Sequence, residues 1–282
     1  MKDAAALCVV IGVWASAVVA IAADVGAMPP RPYTPVVASA DRFDCLGRST
    51  TLGSFLLPEQ ITSAGKPLLA GPTRLVAEPD VFGGLAGRPA IASRQSDSAT
   101  WTWAAESSDL HASATMTGDC DGFCWYQIRL EPKHPLTLRS LALELPRTAE
   151  TSKYLLTARY TWSNTARGLA ELGGKWSGTF VPYLWLGDEQ RGVAWTAESA
   201  EGWRLDDARH ALDVETHAGG VRVRIAFVDH EITFSKPLTL RWGLMASPTK
   251  PVSFAWRAAF RVVHDIQYES CLPGPNGRRA HV

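Results

Sequence analysis

The chain has 282 residues, and its 28 Lys and Arg balance its 28 Asp and Glu, so the formal net charge at pH 7 is zero. A neutral chain lacks the concentrated basic surface that nucleic acids and acidic membranes require, and we predict neither as a partner. Hydrophobic residues make up 46% of the sequence, an ordinary share for a globular protein. The length suits one large all-β domain or two smaller units.

The first 22 residues have the pattern of an export signal. Lys2 is followed by an almost wholly apolar run over 4–22, and a small-x-small cleavage motif ends at Ala22. We therefore predict a signal peptide over 1–22 and an exported protein, periplasmic or secreted, with no membrane association after cleavage. An uncleaved N-terminal membrane anchor is the alternative, since the apolar run is nearly long enough to span a bilayer.

The proline-rich segment over 23–42 predicts an extended linker, because proline fixes φ and removes a hydrogen-bond donor. From residue 43 onward, short apolar runs alternate with turn residues, which is typical of strands. Several runs alternate apolar and polar residues with a period of two, so that each has one apolar face. They are YQIRLEP from Tyr126, LRSLALELP from Leu138, VRVRIAFVD from Val221 and LTLRWGLMAS from Leu238.

Helix signals are few. A short helix is predicted over 165–172, ended by a Gly-Gly pair. The segment after residue 252 fits helix and strand periodicity equally well. Regularly recurring strands without strand–helix alternation predict an all-β fold, a large two-sheet antiparallel β-sandwich with few short helices. We expect a sandwich that resembles those of galactose mutarotases and lectins. We expect the sandwich over 43–252 and a C-terminal extension over 253–282.

Cysteine usage fits export. Without Cys8, which leaves with the signal, the mature chain keeps Cys45, Cys120, Cys124 and Cys271. An even number in an exported protein predicts two disulfides, and three pairings are open. The alternative is a metal site, but Cys-x3-Cys without matched His or Cys partners is a poor zinc pattern, so we predict no metal and no cofactor.

The stretch PYLWLGDEQRGVAWTAES, over 182–199, predicts a hairpin whose two strands carry aromatic residues. Trp185 and Trp195 are candidates for one shared face, because cross-strand aromatic pairs stabilise sheets. Of the 11 Trp residues we expect most to be buried. Exposed aromatic rings offer flat apolar platforms with a polar edge, which suit sugar rings. The predicted ligand-binding residues are Trp176, Tyr183, Trp185, Trp195 and Trp203.

Carboxylates are the best candidates for catalysis, because glycoside hydrolysis uses one as an acid and another as nucleophile or base. Glu198 lies between two Trp residues, where apolar neighbours would raise its pKa and suit it to general-acid chemistry. Its partner would be Asp188 or Glu201. Acidic residues are common in solvated turns, so we predict no catalytic residue and keep Glu198 and Asp188 as the alternative.

The later half of the chain resembles a known family. FVPYLWLGDEQRGVAWTAESAEGW over 180–203 and LTLRWGLMASPTKPV over 238–252 are similar to the N-terminal β-sandwich of glycoside hydrolase family 123-like proteins. LRSLALELPRTAETSKYLL over 138–156 is similar to an earlier strand pair of that domain. The order and spacing of these motifs agree with the family over about residues 125–252.

The resemblance implies a sandwich, an exported location and an association with carbohydrate. In that family a (β/α)8 barrel follows the sandwich and carries the catalytic acids, and the residues after 252 are too few to build one. We therefore expect an exported carbohydrate-associated module, glycan-binding or accessory to a glycoside hydrolase, with carbohydrate and a separate catalytic barrel as partners. The alternatives are a hydrolase with an acid pair on the sandwich and a structural or interaction fragment of a longer enzyme.

Overall fold

The computed structural model describes residues 28–158 and 166–250. The predicted signal peptide and the predicted C-terminal extension lie outside the described residues. The chain divides into two units, Met1–Thr249 and Lys250–Val282, and all described strands belong to the first. The described segments contain no helix with the length and hydropathy of a membrane span.

Strands dominate the described residues. In chain order they are β1 Val37–Ser39, β2 Arg42–Cys45, β3 Arg48–Leu52, β4 Pro58–Ser63, β5 Lys66–Pro67, β6 Arg74–Glu78, β7 Ala90–Arg94, β8 Ser98–Glu106, β9 Leu110–Asp119, β10 Phe123–Pro132, β11 Leu136–Leu138, β12 Ser140–Arg147, β13 Tyr154–Thr157, β14 Arg167–Gly168, β15 Lys175–Gly178, β16 Tyr183–Gly187, β17 Gly192–Thr196, β18 Leu212–His217, β19 Gly220–Val228, β20 Ile232–Phe234 and β21 Leu238–Ser247. Short 3₁₀ turns cover Ser54–Leu56 and Ala208–His210.

The strands form one large sheet and three smaller ones. The large sheet has nine strands in the order β14-β13-β16-β17-β21-β10-β9-β8-β7. Strands β1 to β5 follow one another in a five-stranded sheet, which we call the meander, and β15-β18-β19-β12-β6 form what we call the second sheet. Strands β11 and β20 pair separately. Paired strands run antiparallel throughout.

The core lies on one face of the nine-stranded sheet. Alternate residues of β10 are buried, as its period-two pattern predicts, and the same alternation recurs in β8 and β9. Phe227 of the second sheet stacks on Trp242 of the large sheet with ring centroids 5.6 Å apart. Phe43 of the meander meets Trp101 edge to face, also at 5.6 Å. The meander and the second sheet thus cover this inner face together, and the predicted antiparallel β-sandwich is confirmed.

The C-terminal part of the proline-rich segment forms a strand of the meander. Strand β1 lies inside the range predicted as a linker, 23–42, and pairs with β2. The backbone N–H of Val36 donates to the carbonyl of Ser96 at 2.9 Å, just before β8. The last residues of the segment are therefore tied to the folded domain by backbone hydrogen bonds.

The helix predicted over 165–172 is wrong for the residues that the structure describes. Arg167–Gly168 is the edge strand β14, and turns follow it up to Gly174. Gly173 and Gly174 adopt φ of 70° and 74°, which ends the turn before β15. A helix this short has little stability of its own. Pairing with β13 and burial of Leu169, which is 3% exposed, take precedence over it.

Candidate functional site

Strands β16 and β17 form the predicted hairpin, and its turn explains one of the acidic residues. The Asp188 carboxylate accepts hydrogen bonds from the backbone N–H groups of Gln190 and Arg191, both at 2.7 Å. An aspartate at this position of a turn mimics a backbone acceptor and stabilises the bend. Asp188 also lies 3.9 Å from the Arg191 Nε, and both side chains are largely buried. Its role in the fold is therefore conformational.

The expectation that Trp185 and Trp195 share a face is wrong. Trp195 pairs with Leu184, whereas Trp185 pairs with Ala194, so the two indoles point to opposite faces of the sheet. The turn sets this register, and a shift of one residue moves a side chain to the other face.

Trp195 belongs to the core. It is 1% exposed, and Trp203 is 9% exposed. Their ring centroids are 6.3 Å apart, and Phe180 meets both edge to face. Trp203 also contacts Phe227 of the second sheet at 5.2 Å. These two residues, predicted from the sequence to bind ligand, pack the two sheets together.

Tyr183 begins a cross-strand row on the outer face of the nine-stranded sheet. It pairs with Thr196, Thr196 pairs with Gly243, and Gly243 pairs with Trp125 on β10. Directly opposed residues point to the same face of a sheet. Tyr183 and Trp125 therefore both face outward, three strand spacings apart, or about 14 Å.

Trp185 lies in the adjacent row on the same face. The row runs from Trp185 through Ala194 and Met245 to Phe123. Residues two apart on a strand are about 7 Å apart, which is the separation between the rows. All the outward aromatic side chains of the two rows are half-buried. We call this set the aromatic ledge: Phe123, Trp125, Tyr183 and Trp185.

Glycines let rings of the ledge lie flat on the sheet. A Cβ at Gly243 would stand 2.5 Å from the Phe123 ring, and one at Gly192 would stand 2.5 Å from the Trp185 indole. Each ring thus occupies the space that a side chain would take, with its other face turned away from the backbone. Phe123 also stacks beside Trp125, with centroids 6.2 Å apart and an interplanar angle of 29°.

Polar groups border the ledge. The Trp185 Nε1 donates to the Ser247 Oγ at 3.1 Å. In the row beyond Trp125, the Arg241 Nε donates to the Gln127 Oε1 at 2.9 Å. Burial raises the pKa of Tyr183, so its hydroxyl is protonated at neutral pH and able to donate a hydrogen bond. A flat apolar area is therefore combined with hydrogen-bonding groups at its rim.

The structure does not bring Asp188 and Glu198 together. Asp188 lies in the hairpin turn, and Glu198 is exposed two residues beyond the other end of β17. The length of β17 separates them by about 14 Å or more. Acid pairs in glycosidases are at most about 9.5 Å apart. Asp188 and Glu198 therefore cannot act as acid and base across one glycosidic bond.

Trp176, the last of the predicted ligand-binding residues, lies on a different sheet from the ledge residues Phe123 and Trp125. Trp176 lies on β15, at the edge of the second sheet, where it pairs with Val214 and packs against the core. The sequence prediction does not include Phe123 and Trp125, because the clear alternation of apolar and polar residues begins at Tyr126. Extending it by three residues places two aromatic rings on the polar face, which is the available sequence signal.

The described cysteines are free thiols. Cys45 and Cys124 are buried, Cys120 is half-buried, and Cys271 lies outside the described residues. Burial raises the pKa of Cys45 to about 11. Each of the three possible pairings requires a bond between two of these three cysteines, and none is present, so the structure does not bear out the prediction of two disulfides. Within 28–158 and 166–250, no three His, Cys, Asp or Glu side chains are grouped to hold a metal ion.

Solved structures are similar to this chain. A protein in glycosyl hydrolase family 38 from Enterococcus faecalis has 9% identity, covers 82% of this chain and 33% of its own, and superposes with a TM-score of 0.50. An alpha-mannosidase from Enterococcus faecalis V583 has 8% identity, covers 82% of this chain and 32% of its own, and superposes with a TM-score of 0.48. A galactose mutarotase-like protein from Lactobacillus casei ATCC 334 has 8% identity, covers 76% of this chain and 99% of its own, and superposes with a TM-score of 0.45. At such identities the first match shows the fold alone, and the chain spans about a third of the first two structures.

Sequence comparison is more specific. A search of curated proteins found no match. The family model described as glycoside hydrolase 123, third domain, matches residues 36–201, which begins well before the range of the motifs recognised in the sequence. The resemblance to glycoside hydrolase family 123 is thereby confirmed. Because the match covers over half of the 282 residues, the chain belongs to the family of the glycoside hydrolase 123 third domain.

Proposed function

We propose that this chain is an exported carbohydrate-binding module that supports a glycoside hydrolase and does not cleave glycosidic bonds alone. The aromatic ledge is the observation that carries the proposal. Two of its rings, Phe123 and Trp185, lie flat on the outer face of the nine-stranded sheet, over glycines that leave room for them. Membership of a glycoside hydrolase family supports carbohydrate as the ligand.

The dimensions of the ledge suit an extended glycan. Its two rows cover about 14 by 7 Å, an open strip rather than an enclosed pocket. Sugar rings present C–H groups on their faces and hydroxyls around their edges. The C–H faces would stack on Trp125 and Trp185, and the hydroxyls would meet the polar rim of Arg241 and Gln127.

Bond cleavage is assigned to a separate catalytic barrel. The hairpin keeps Asp188 and Glu198 too far apart for a glycosidase pair. The Asp188 carboxylate is also occupied by backbone N–H groups of its own turn. The proposed role of this module is to hold glycan near an enzyme, which makes carbohydrate and a barrel its partners.

The test compares ledge variants with a matched tryptophan outside the ledge. The purified chain and its Trp125→Ala, Trp185→Ala and Trp176→Ala variants are run through native gels containing different soluble polysaccharides. We expect at least one polysaccharide to retard the parent protein. Each ledge substitution should weaken that binding roughly tenfold, because buried aromatic anchors dominate binding energy, while Trp176→Ala should bind as the parent does.

Two results would count against glycan binding by the ledge. One is a parent protein that no polysaccharide in the panel retards. The other is equal retardation of the parent and both ledge variants. Release of reducing ends by the purified chain, lost in Glu198→Gln, would instead support the alternative of an acid pair on the sandwich.

A further inference from the structure

A cavity lies apart from the ledge, between the meander and the start of β6. Its volume is about 260 Å³. Pockets for drug-sized ligands begin at about 300 Å³, so this cavity suits a smaller molecule. Aromatic, aliphatic, hydroxyl and charged side chains line it, including Phe55, Leu57, Glu59, Thr73, Arg74 and Phe82.

The aromatic wall of this cavity is held by an unusual backbone. Phe55 and Leu56 have φ of 58° and 60°, in the left-handed region that residues other than glycine seldom adopt. Backbone hydrogen bonds between Gly53 and Leu57, in particular Gly53 N–H to the Leu57 carbonyl at 2.9 Å, close the turn. The turn places the Phe55 ring 4.4 Å from the ring of Trp103. Such conformations cluster at functional sites, where the surrounding structure imposes them.

A short loop supplies the part of the wall next to Phe55. Phe82 meets Phe55 edge to face, with ring centroids 5.3 Å apart. The backbone N–H of Phe82 donates to the Asp80 Oδ1 at 2.9 Å, which fixes the start of the loop. The cavity is thus bounded by two aromatic rings that are each positioned by a hydrogen-bonded turn.

Opposite charges line the same cavity without neutralising each other. Glu59 and Arg74 are exposed, and within the described part of the chain neither side chain has an ion pair or a hydrogen bond. Thr73 is 5% exposed, and its hydroxyl has no partner among the described residues. The cavity therefore combines acceptor oxygens of Glu59 and guanidinium donors of Arg74 that are available for a ligand, and the unpartnered Thr73 hydroxyl lies buried behind its wall.

We infer that this cavity binds one neutral pyranose unit, an inference that rests on the proposed association of the module with carbohydrate. Neighbouring sugar hydroxyls both donate and accept. Glu59 can accept from one pair of hydroxyls and Arg74 can donate to another. The aromatic walls contact the apolar face of the ring. The two opposite charges favour a neutral sugar over an acidic or an amino sugar.

The experiment is an NMR titration of the ¹⁵N-labelled full chain with free sugars. The probes are glucose, galactose and mannose, with glucuronic acid and glucosamine as charged comparators. We expect at least one neutral hexose to shift the amide signals of Gly83 and Gly84. Glu59→Gln and Arg74→Gln should weaken that binding at least roughly tenfold, since each removes a charge-assisted hydrogen bond. Trp125→Ala, on the ledge, should leave it unchanged.

The inference is overturned if no neutral hexose shifts these signals, or if both pocket variants bind as the parent does. Tighter binding of a charged sugar than of every neutral one also overturns it. The polysaccharide gels separate this outcome from failure of the proposed function. If the ledge variants lose retardation in the gels but no sugar shifts the cavity signals, only the cavity proposal is refuted. If a sugar shifts the cavity signals but no polysaccharide retards the chain, only the ledge proposal is refuted.

Discussion

Replacing Gly243 with alanine tests whether the aromatic ledge lies directly on the sheet. A Cβ at this position would stand 2.5 Å from two carbons of the Phe123 ring and 2.8 Å from the Thr196 Cγ2. Carbon atoms in favourable contact are about 3.5–4.0 Å apart, so the ring must move outward by about 1 Å. Overpacking of this kind costs about 1–3 kcal/mol, and we expect Gly243→Ala to lower the free energy of unfolding by about 2 kcal/mol.

Phe123→Ala provides the matched background for this test. Without the ring, only the Thr196 methyl group crowds the new Cβ, so the cost of Gly243→Ala should fall by at least about 1 kcal/mol. Urea unfolding of the parent, both single variants and the double variant measures this coupling. Costs that add within about 0.5 kcal/mol would refute the contact between Phe123 and the backbone of β21.

Two further predictions concern titrating groups. Burial pushes the pKa of Asp229 up, but hydrogen bonds from His230 and from two backbone N–H groups hold it below its usual value. This carboxylate therefore stabilises the fold above about pH 4, and the stabilisation is lost as pH falls through the lower folded pKa. Asp229→Asn should flatten the acid limb of stability measured by urea unfolding, and an unaltered slope would show that Asp229 is not involved. Burial raises the pKa of Cys45, Cys120 and Cys124, but only Cys120 is partly exposed, so iodoacetamide should alkylate Cys120 first in the reduced native protein, and peptide mass spectra with Cys124 labelled first would contradict this order.

The strands were predictable because a sheet buried on one side needs apolar residues at every second position of its strands. β10 and β19 show this, since their alternating apolar residues are the ones that pack between the sheets. The helix predicted over 165–172 failed because local spacing does not reveal that a neighbouring strand is available for pairing. Leu169 satisfies its burial in a turn beside β14 instead.

The site was predictable only in part, because register depends on the turn. Tyr183 and Trp185 lie on the ledge, whereas Trp195 points to the core, and the sequence of the hairpin alone did not separate them. Phe123 and Trp125 join the ledge through β21, which follows β10 by over a hundred residues. Long-range pairing of this kind brings together residues that no local motif connects.

The ledge and the cavity have different proposed roles. The ledge and the pocket are proposed to contact sugar at two places, with one taking an extended chain and the other a single ring. Neither places two carboxylates across a bond. Ledge and pocket variants should therefore change glycan retention independently, because the two sites share no residue.

The most direct measurement is isothermal titration of the parent and the Trp125→Ala/Trp185→Ala double variant with an oligosaccharide of the polysaccharide that retards the parent. We predict a binding heat for the parent and none for the double variant at the same concentrations, with the urea midpoint of the variant confirming that it is folded. Equal binding by both proteins would show that the outer aromatic face is not where this chain meets carbohydrate.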